Sequence, residues 1–202
     1  MASSNKKSTE NSLRIIGGEW RSRRIPFAAD TGVRPTADRV RETLFNWLQG
    51  ITPEAHCLDL FAGSGALAFE ALSRGAASVT MVDEDLRVIQ QLQQNAALLK
   101  TDKAAMKWSD ALSFLNEYEP LPKQAKHYDI VFLDPPYRDD IIGECTQRLE
   151  KSGWLASTAW IYMECGADQT LTEIPDNWEL LHNKKSSQVR YALARRKPQK
   201  KS

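Results

Sequence analysis

From residue 55 onward, short apolar segments typical of β-strands alternate with longer segments typical of α-helices, and this alternation constrains the fold more than any other feature. Such alternation indicates βαβ units, in which a parallel sheet carries helices on both faces. The connection between the last two strands is too short for a helix, so we expect an antiparallel pair at the end of a mostly parallel seven-stranded sheet. The predicted strands cover residues 56–60, 78–82, 104–108, 128–133, 160–165, 178–185 and 188–195, and the predicted helices cover 65–74, 84–100, 110–117 and 139–151.

A different pattern precedes the alternating region. Residues 13–27 resemble two strands around Gly17-Gly18, which predicts a β-hairpin. Thr36 is the predicted N-cap of a helix that begins near Ala37, and the core face of this helix carries Val40, Leu44, Trp47 and Leu48. The chain has 202 residues, of which 42% are hydrophobic, and this is enough for one good core. The predicted organisation is a disordered tail (1–12), a basic β-hairpin extension (13–35), one main α/β domain (36–196) and a basic tail (197–202).

The composition argues against membrane, secreted and metal-dependent classes of protein. No apolar stretch approaches the roughly 18 residues of a membrane span, and the polar N-terminus lacks the apolar segment of a signal peptide. Three cysteines, at 57, 145 and 165, have no metal-site spacing and are typical of reduced core residues in a cytoplasmic protein. We therefore expect a cytoplasmic protein that uses no metal, and we expect it to be a monomer.

Charge is distributed unevenly along the chain, although the net charge is only +1. Residues 1–41 carry a net charge of +5 and residues 184–202 one of +8, whereas residues 42–183 carry −12. Basic ends on an acidic body suggest surfaces that meet a polyanion. The alternative for the ends is solvated basic tails and a hairpin packed on the body with its polar edge in water. The candidate RNA-facing residues, with Trp20 and Phe27 among them, are Arg14, Arg21, Arg23, Arg24, Arg34, Arg39 and Arg41.

Arg39 and Arg41 lie two residues apart on a predicted helix. Residues at that spacing do not share a helix face. We therefore expect at most one of the two to point toward a ligand.

The sequence Asp134-Pro135-Pro136-Tyr137 follows the apolar strand 128–133 and predicts a rigid corner at its carboxyl end. Proline offers a carbonyl without an N–H, and its ring fixes φ. The Asp134 carboxylate and the Pro135 carbonyl can therefore both accept hydrogen bonds from one planar NH2 group, while Tyr137 offers a face for stacking. The alternative is an ordinary turn that ends a strand, since prolines commonly mark turns.

The first strand of the alternating region leads into a glycine-containing loop that suits an adenosine cofactor. Gly63 and Gly65 allow a sharp turn that brings backbone N–H groups close to a ligand, and the spacing also satisfies the loose dinucleotide fingerprint. Asp59 favours S-adenosylmethionine, because its carboxylate can engage a cationic amino group at the end of the strand. The predicted cofactor-binding residues of this first loop are Asp59, Phe61, Ala62, Gly63, Ser64 and Gly65.

The next two strands also end in acidic residues. Asp83 lies twenty residues after Gly63 and can accept from both ribose hydroxyls in either class of cofactor. Asp110 precedes Ala111 at the start of a predicted helix, where it can cap the helix, accept from the adenine amine, or do both. We therefore predict that Asp83, Asp110 and Ala111 complete a cofactor site along the carboxyl edge of the sheet.

Between Leu13 and Arg196 the chain resembles the bacterial small-subunit (16S) ribosomal RNA guanine-N2 methyltransferases, the family often called methyltransferase D. The Pro-Pro corner and the glycine loop are shared by many amine methyltransferases, whereas the first two of the following motifs are more specific. The resemblance rests on Arg14-Ile15-Ile16-Gly17-Gly18-x-Trp20-Arg21, on Arg34-Pro35-Thr36-x-Asp38-Arg39-Val40-Arg41-Glu42-Thr43-Leu44-Phe45-Asn46-Trp47-Leu48, on Leu58-Asp59-Leu60-Phe61-Ala62-Gly63-Ser64-Gly65 and on Asp134-Pro135-Pro136-Tyr137.

The resemblance implies the class I S-adenosylmethionine-dependent methyltransferase fold, which is Rossmann-like, and methylation of a guanine exocyclic amine in ribosomal RNA. The implied partner is the small (30S) ribosomal subunit or its assembly intermediate, and the implied catalytic residues are Asp134, Pro135, Pro136 and Tyr137. Three alternatives remain open from the residues alone. They are an adenine-N6 or glutamine-N5 methyltransferase, an NAD-dependent oxidoreductase, and a non-catalytic RNA-binding or assembly factor.

Overall fold

The computed structural model describes residues 11–28, 36–116, 127–136, 141–171, 174–186 and 188–198. The predicted tails fall mostly outside these ranges, as do Arg34 and Tyr137. Each predicted strand and helix has a counterpart in the structure, with ends that mostly agree within two residues. The elements are β1 (Ser12–Arg14), β2 (Arg24–Pro26), α1 (Asp38–Trp47), β3 (His56–Asp59), α2 (Ala66–Ser73), β4 (Ser78–Asp83), α3 (Leu86–Leu99), β5 (Ala104–Trp108), α4 (Ala111–Asn116), β6 (Tyr128–Leu133), α5 (Ile142–Ser152), β7 (Leu155–Gly166), β8 (Trp178–Lys185) and β9 (Val189–Arg196).

The main sheet has seven strands in the order β5-β4-β3-β6-β7-β9-β8. Strands β3 to β7 pair in parallel, whereas β9 pairs antiparallel with both β7 and β8. This architecture confirms the predicted fold class. The strand order reverses between β3 and β6, and open α/β sheets bind ligands at the carboxyl edge at such a point.

The core lies on both faces of the sheet. On one face, the sheet packs against α1, α2, α3 and the N-terminal hairpin, whose Leu13, Ile15 and Ile25 are at most 4% exposed. The other face packs against α4 and α5. The helices thus protect both faces of the parallel strands from water, and the ends of those strands remain available for a site. Among the described residues, no helix is long and apolar enough to cross a membrane.

Two local predictions were wrong. Strand β7 begins at Leu155 rather than at residue 160, because its first residues include the exposed Ser157 and Thr158, which hide the strand pattern. Thr36 does not cap α1: the N-cap residue is Ala37, without a side-chain hydrogen bond. The Thr36 hydroxyl instead donates to Asp134 Oδ2 at 2.8 Å, which links the start of α1 to the end of β6.

The N-terminal hairpin is fastened to α2 by a buried carboxylate. Glu70, which is fully buried, accepts the backbone N–H groups of Ile16 and Gly17, both at 2.8 Å. Its carboxylate also pairs with Arg74 at 2.7 Å and lies 3.8 Å from the guanidinium of Arg41. A buried charge requires such compensation. Glu70 therefore orders the turn of the hairpin against the body.

Gly17 and Gly18 are needed for contact with α2 as well as for the turn. A Cβ on Gly18 would lie 1.8 Å from the carbonyl oxygen of Ser73, and Gly18 has a φ of +76°. The close approach lets the N–H of Glu19 donate to Ser73 O at 2.7 Å and the Ser73 hydroxyl donate to Gly17 O at 2.6 Å. The predicted hairpin is confirmed, but its hydrogen-bonded turns cover residues 18–21 and 20–23, where the N–H of Arg21 donates to Gly18 O and that of Arg23 to Trp20 O. Gly18 opens the first of these turns, and both glycines allow the close packing against α2.

We predict that Glu70→Gln lowers the free energy of unfolding by about 3 kcal/mol, because it leaves the buried Arg41 without an anionic partner at this side. Urea unfolding followed by circular dichroism measures the change. Glu42→Gln, at an exposed position of α1, is the matched control and should unfold as the unaltered chain does. Equal stability of the two variants would contradict the anchoring role of Glu70.

Candidate functional site

The glycine loop turns sharply between β3 and α2. Gly63 and Gly65 have φ angles of +48° and +75°, which favour glycine. A Cβ on Gly65 would lie within 2.7 Å of the side chains of Phe69 and Leu92. Ala62 and Ser64 are buried, whereas Phe61 and Gly63 are partly exposed. The loop therefore offers a narrow and largely buried backbone surface at the carboxyl edge of the sheet.

Asp59, the last residue of β3, carries a buried carboxylate with an unused acceptor. Its residue is 1% exposed, and its Oδ1 atom has no hydrogen-bond partner. Burial raises the pKa of Asp59 to about 7; the Phe61 and Ala68 N–H groups oppose this rise, and the Asp83 charge adds to it. A cation placed here would gain an ion pair and would satisfy the orphaned oxygen. Asp59 is thus suited to hold a cationic amino group.

Asp83, the last residue of β4, faces the glycine loop. Its Oδ2 accepts the N–H of Gly63 and its Oδ1 that of Asp85, both at 2.9 Å. Burial is the main cause that raises the pKa of this carboxyl, and the two N–H groups oppose the rise. The structure thus brings Asp83 to the loop, as the predicted cofactor site requires. Its role toward ribose hydroxyls stays a prediction.

Asp110 and Ala111 lie at the third strand end, as predicted. The exposed Asp110 accepts the N–H of Ser113 at 2.9 Å and so caps α4, which confirms the first of its two predicted roles. Hydrogen bonds from Ser113 lower the pKa of the Asp110 carboxyl. Contact with an adenine amine remains open. Ala111 is buried at the first position of α4.

The predicted acceptor corner lies at the end of β6, beside the glycine loop. Strands β3 and β6 pair in parallel, with Asp59 opposite Phe132, and the N–H of Leu60 donates to Phe132 O at 3.2 Å. Asp134 is only two residues further on. The Asp59 carboxylate is near enough to raise the pKa of Asp134. The corner is therefore adjacent to the cofactor loop and does not point into packed interior, since Pro136 is exposed and Asp134 partly so.

A residue that sequence analysis missed completes this corner. Glu164 lies near the end of β7, the strand next to β6, and is 2% exposed. It lies close to Asp134: burial and the Glu164 charge raise the pKa of Asp134 well above its usual range, and the Thr36 hydroxyl lowers it. An acidic residue near the carboxyl end of an apolar strand was the signal, because acids are rarely buried without a specific reason.

The candidate RNA-facing arginines divide into two groups. Arg14, Arg21, Arg23, Arg24 and Arg39 are exposed. Arg41 is 1% exposed and donates to Arg14 O at 2.9 Å and to Asp38 Oδ1 at 2.6 Å, so its prediction as an RNA contact was wrong. Its guanidinium serves the Glu70 anchor instead. As expected from their spacing, Arg39 and Arg41 lie on different faces of α1.

Some of the exposed arginines are already engaged with neighbouring groups. Arg14 pairs with Asp38 at 3.3 Å, and Arg24 donates to the hydroxyl of Ser12. Trp20 is buried in the core. The hairpin is thus packed on the body with its arginines exposed, which confirms the packed alternative. Contact of these arginines with RNA stays a prediction.

The residues at the carboxyl edge fit S-adenosylmethionine. Asp59 supplies an unsatisfied buried acceptor for its cationic amino group, and Asp83 a second carboxylate beside the loop. These residues suit S-adenosylmethionine better than a dinucleotide, because the pyrophosphate of a dinucleotide would lie beside two carboxylates rather than beside cations. Within the described ranges, no group of three His, Cys, Asp or Glu side chains is placed to hold a metal ion.

Comparisons with known proteins agree with this geometry. Residues 13–195 match the family described as conserved hypothetical protein 95. The chain is 47% identical over 187 residues to ribosomal RNA small subunit methyltransferase D of Escherichia coli, which covers 93% of this chain and 91% of the relative. It is 43% identical to the protein of the same name from Haemophilus influenzae, over 90% of this chain and 92% of that one.

A solved structure supports the same relation. The structure described as a putative methyltransferase, yhhF, from Escherichia coli superimposes with a TM-score of 0.84 at 46% identity and covers 94% of this chain and all of its own. The cofactor predicted from the sequence, S-adenosylmethionine, agrees with this methyltransferase fold. By both sequence and structure, the chain belongs to the ribosomal RNA small subunit methyltransferase D family.

Proposed function

We propose that this protein methylates the exocyclic N2 amine of a guanine in the RNA of the small ribosomal subunit, with S-adenosylmethionine as methyl donor. The observation that carries the proposal is the position of Asp134 and the Pro135 carbonyl, at the end of β6, directly beside the Asp59 and Gly63 end of β3. Acceptors for an amine and a site for a cationic cofactor are thereby neighbours. Family membership supports ribosomal RNA as the substrate class.

The cofactor, when bound, supplies a methyl group that its sulfonium already activates, so the protein's task is to prepare the nucleophile. The lone pair of guanine N2 is delocalised into the ring. Asp134 and the Pro135 carbonyl accept hydrogen bonds from the amine and stabilise positive charge that develops on nitrogen. The prolines keep the acceptors still, so that most of the gain is positioning. Tyr137, outside the described residues, stays predicted as a stacking partner of the base.

Thr36 connects the acceptor corner to the start of α1. Its hydroxyl donates to Asp134 Oδ2 and leaves Oδ1 for the amine in our proposal. Thr36 directly follows residues 29–35, which include Arg34 and lie outside the described ranges. The hairpin arginines provide phosphate contacts on the outer surface. The family resemblance, rather than these contacts, supports ribosomal RNA within the small subunit or its assembly intermediate as the proposed partner.

An amine of adenine or of protein glutamine is the runner-up substrate, because such enzymes use a similar corner. The preference for guanine N2 rests on the resemblance in the hairpin and α1 motifs. An NAD-dependent oxidoreductase is disfavoured by the family membership and by the carboxylates at the loop. A non-catalytic role is disfavoured by the complete set of acceptor and cofactor residues.

Replacement of Asp134 by asparagine should reduce methyl transfer to small-subunit particles by about 100-fold, because the charged acceptor for the amine is removed. Transfer of labelled methyl groups measures the rate, and mass spectrometry of digested RNA identifies the product as N2-methylguanosine. Cofactor affinity should stay within about twofold, because Asp59 and the glycine loop are unchanged.

The matched control is Asp129→Asn, at the other end of the same strand. Asp129 accepts the N–H of His56, and an asparagine oxygen can do the same. This variant should retain normal transfer. Full activity of Asp134→Asn, or a product methylated at adenine N6, would overturn the proposed function.

Cofactor affinity should depend on pH through Asp59. The carboxylate must be ionised to pair with a cationic amino group, and its pKa is about 7 in the free protein. Well below that pKa, the dissociation constant of the cofactor should therefore rise about tenfold for each unit by which the pH falls. Above the pKa it should become constant. Isothermal titration calorimetry across this range measures the trend, and Asp59→Asn should bind weakly and without this pH dependence. A flat profile in the unaltered chain would refute the role of Asp59.

Removal of exposed hairpin arginines should weaken RNA binding and flatten its salt dependence. The slope of log affinity against log salt should become shallower by about 0.7 to 0.9 for each arginine that no longer meets a phosphate. Arg21→Gln and Arg23→Gln test the hairpin, while Lys151→Gln removes one charge from an exposed position of α5, on the other face of the sheet. Fluorescence anisotropy with a small-subunit RNA fragment gives the slopes. Equal slopes for hairpin variants and control would contradict an RNA-facing hairpin.

A further inference from the structure

The carboxyl ends of β6 and β7 bring two acidic side chains to one point. The strands are parallel, and Phe132 lies opposite Tyr162 while Leu133 lies opposite Met163. Side chains alternate along a strand, so residues two apart share a face. The Phe132 and Tyr162 rings meet edge-on at 6.5 Å. One step further along the same face, Asp134 and Glu164 are therefore neighbours.

Each of the two carboxylates is held by a different buried hydroxyl. The Tyr162 hydroxyl donates to Glu164 Oε2 at 2.5 Å, and the Thr36 hydroxyl donates to Asp134 Oδ2 at 2.8 Å. Tyr162 is fully buried and Thr36 is 8% exposed. Both bonds favour the ionised carboxylate, because its oxygens accept. The pair is thus oriented from two sides, by β7 and by the segment before α1.

Stability does not explain this pairing. Two like charges side by side in a buried place repel each other and are poorly solvated. Among the described residues, the ionisable groups near the pair include Asp59 on β3, Tyr162 on β7 and Tyr191 of β9, which lies opposite Glu164. The acidic neighbours Glu164 and Asp59 both make the Asp134 carboxylate hold a proton more readily. The arrangement suits chemistry at Asp134.

We propose that Glu164 is a positioning residue whose carboxylate makes Asp134 the acceptor of the proton that the methylated amine must lose; this inference rests on the proposed function. Once methylated, the amine nitrogen is positively charged. One N–H bond breaks, its electron pair stays on nitrogen, and the proton bonds to a carboxylate oxygen of Asp134, which becomes neutral. An ordinary carboxylate is a weak base for this step, and the adjacent Glu164 charge makes Asp134 a stronger one.

Two measurements on Glu164→Gln test the inference. Carboxyl-carbon NMR on chains labelled at Asp and Glu gives the titration midpoint of Asp134, with Asp134→Asn as the assignment standard. Single-turnover methyl transfer against pH gives the acidic limb of the rate profile. Removal of the Glu164 charge should lower the titration midpoint of Asp134 and the midpoint of the acidic limb by about one pH unit each. Cofactor and RNA affinities should change by less than about twofold. A merely structural role of Glu164 would leave the acidic limb of the rate profile at the same pH.

Tyr162→Phe is the second variant, which removes no charge and little volume. Without the tyrosine hydroxyl, Glu164 takes a proton more readily, so the Asp134 midpoint should again fall. Glu179→Gln, exposed on β8, is the control and should leave both readouts unchanged. An unmoved Asp134 midpoint or an unmoved limb in Glu164→Gln, with normal guanine methylation by the unaltered chain, would overturn this inference alone. No methylated guanine from the unaltered chain would overturn the proposed function and the inference together.

Discussion

The parallel pairing of β4, β3, β6 and β7 is the constraint on which the site depends. Parallel strands end at the same edge of a sheet, so the acidic residues Asp83, Asp59, Asp134 and Glu164 lie close together there. Burial, together with the charges of these neighbours, raises the pKa of Asp59 and of Asp134. An acidic edge of this kind is unfavourable by itself, and a cationic cofactor and a developing ammonium relieve the repulsion. The fold thereby places an unfavourable electrostatic arrangement where the proposed ligands bind.

A second buried charge arrangement ties the N-terminal segment to this edge. Glu70 holds the hairpin turn through backbone N–H groups, and Arg41 connects the same carboxylate to α1 and to the backbone of Arg14. Just before α1, the Thr36 hydroxyl donates to Asp134 at the end of β6. Through these contacts, a surface proposed to meet RNA phosphates and a corner proposed to hold the base are built on one connected framework.

Much of the fold could be predicted because apolar residues recur at clear strand and helix spacings along the sequence. The strands and helices after residue 55, the antiparallel closing pair and the N-terminal hairpin were confirmed. The failures have specific physical causes. Exposed polar residues at the start of β7 hid the first part of that strand. Arg41 was expected at the surface, because long basic residues usually lie there, yet it is buried, where it donates to Arg14 O and Asp38 and lies 3.8 Å from Glu70, 29 positions along the chain.

The sequence by itself determined the alternating architecture, the glycine loop and the acceptor corner, because period, turn chemistry and proline geometry are local properties of the chain. Only the tertiary structure decided that the Thr36 hydroxyl donates to Asp134 instead of capping α1, and that Glu164 lies beside that carboxylate. Both depend on partners far apart in sequence, 98 positions in the case of Thr36. Hydrogen bonds and charge interactions of that kind follow from strand order and register, which no local pattern specifies.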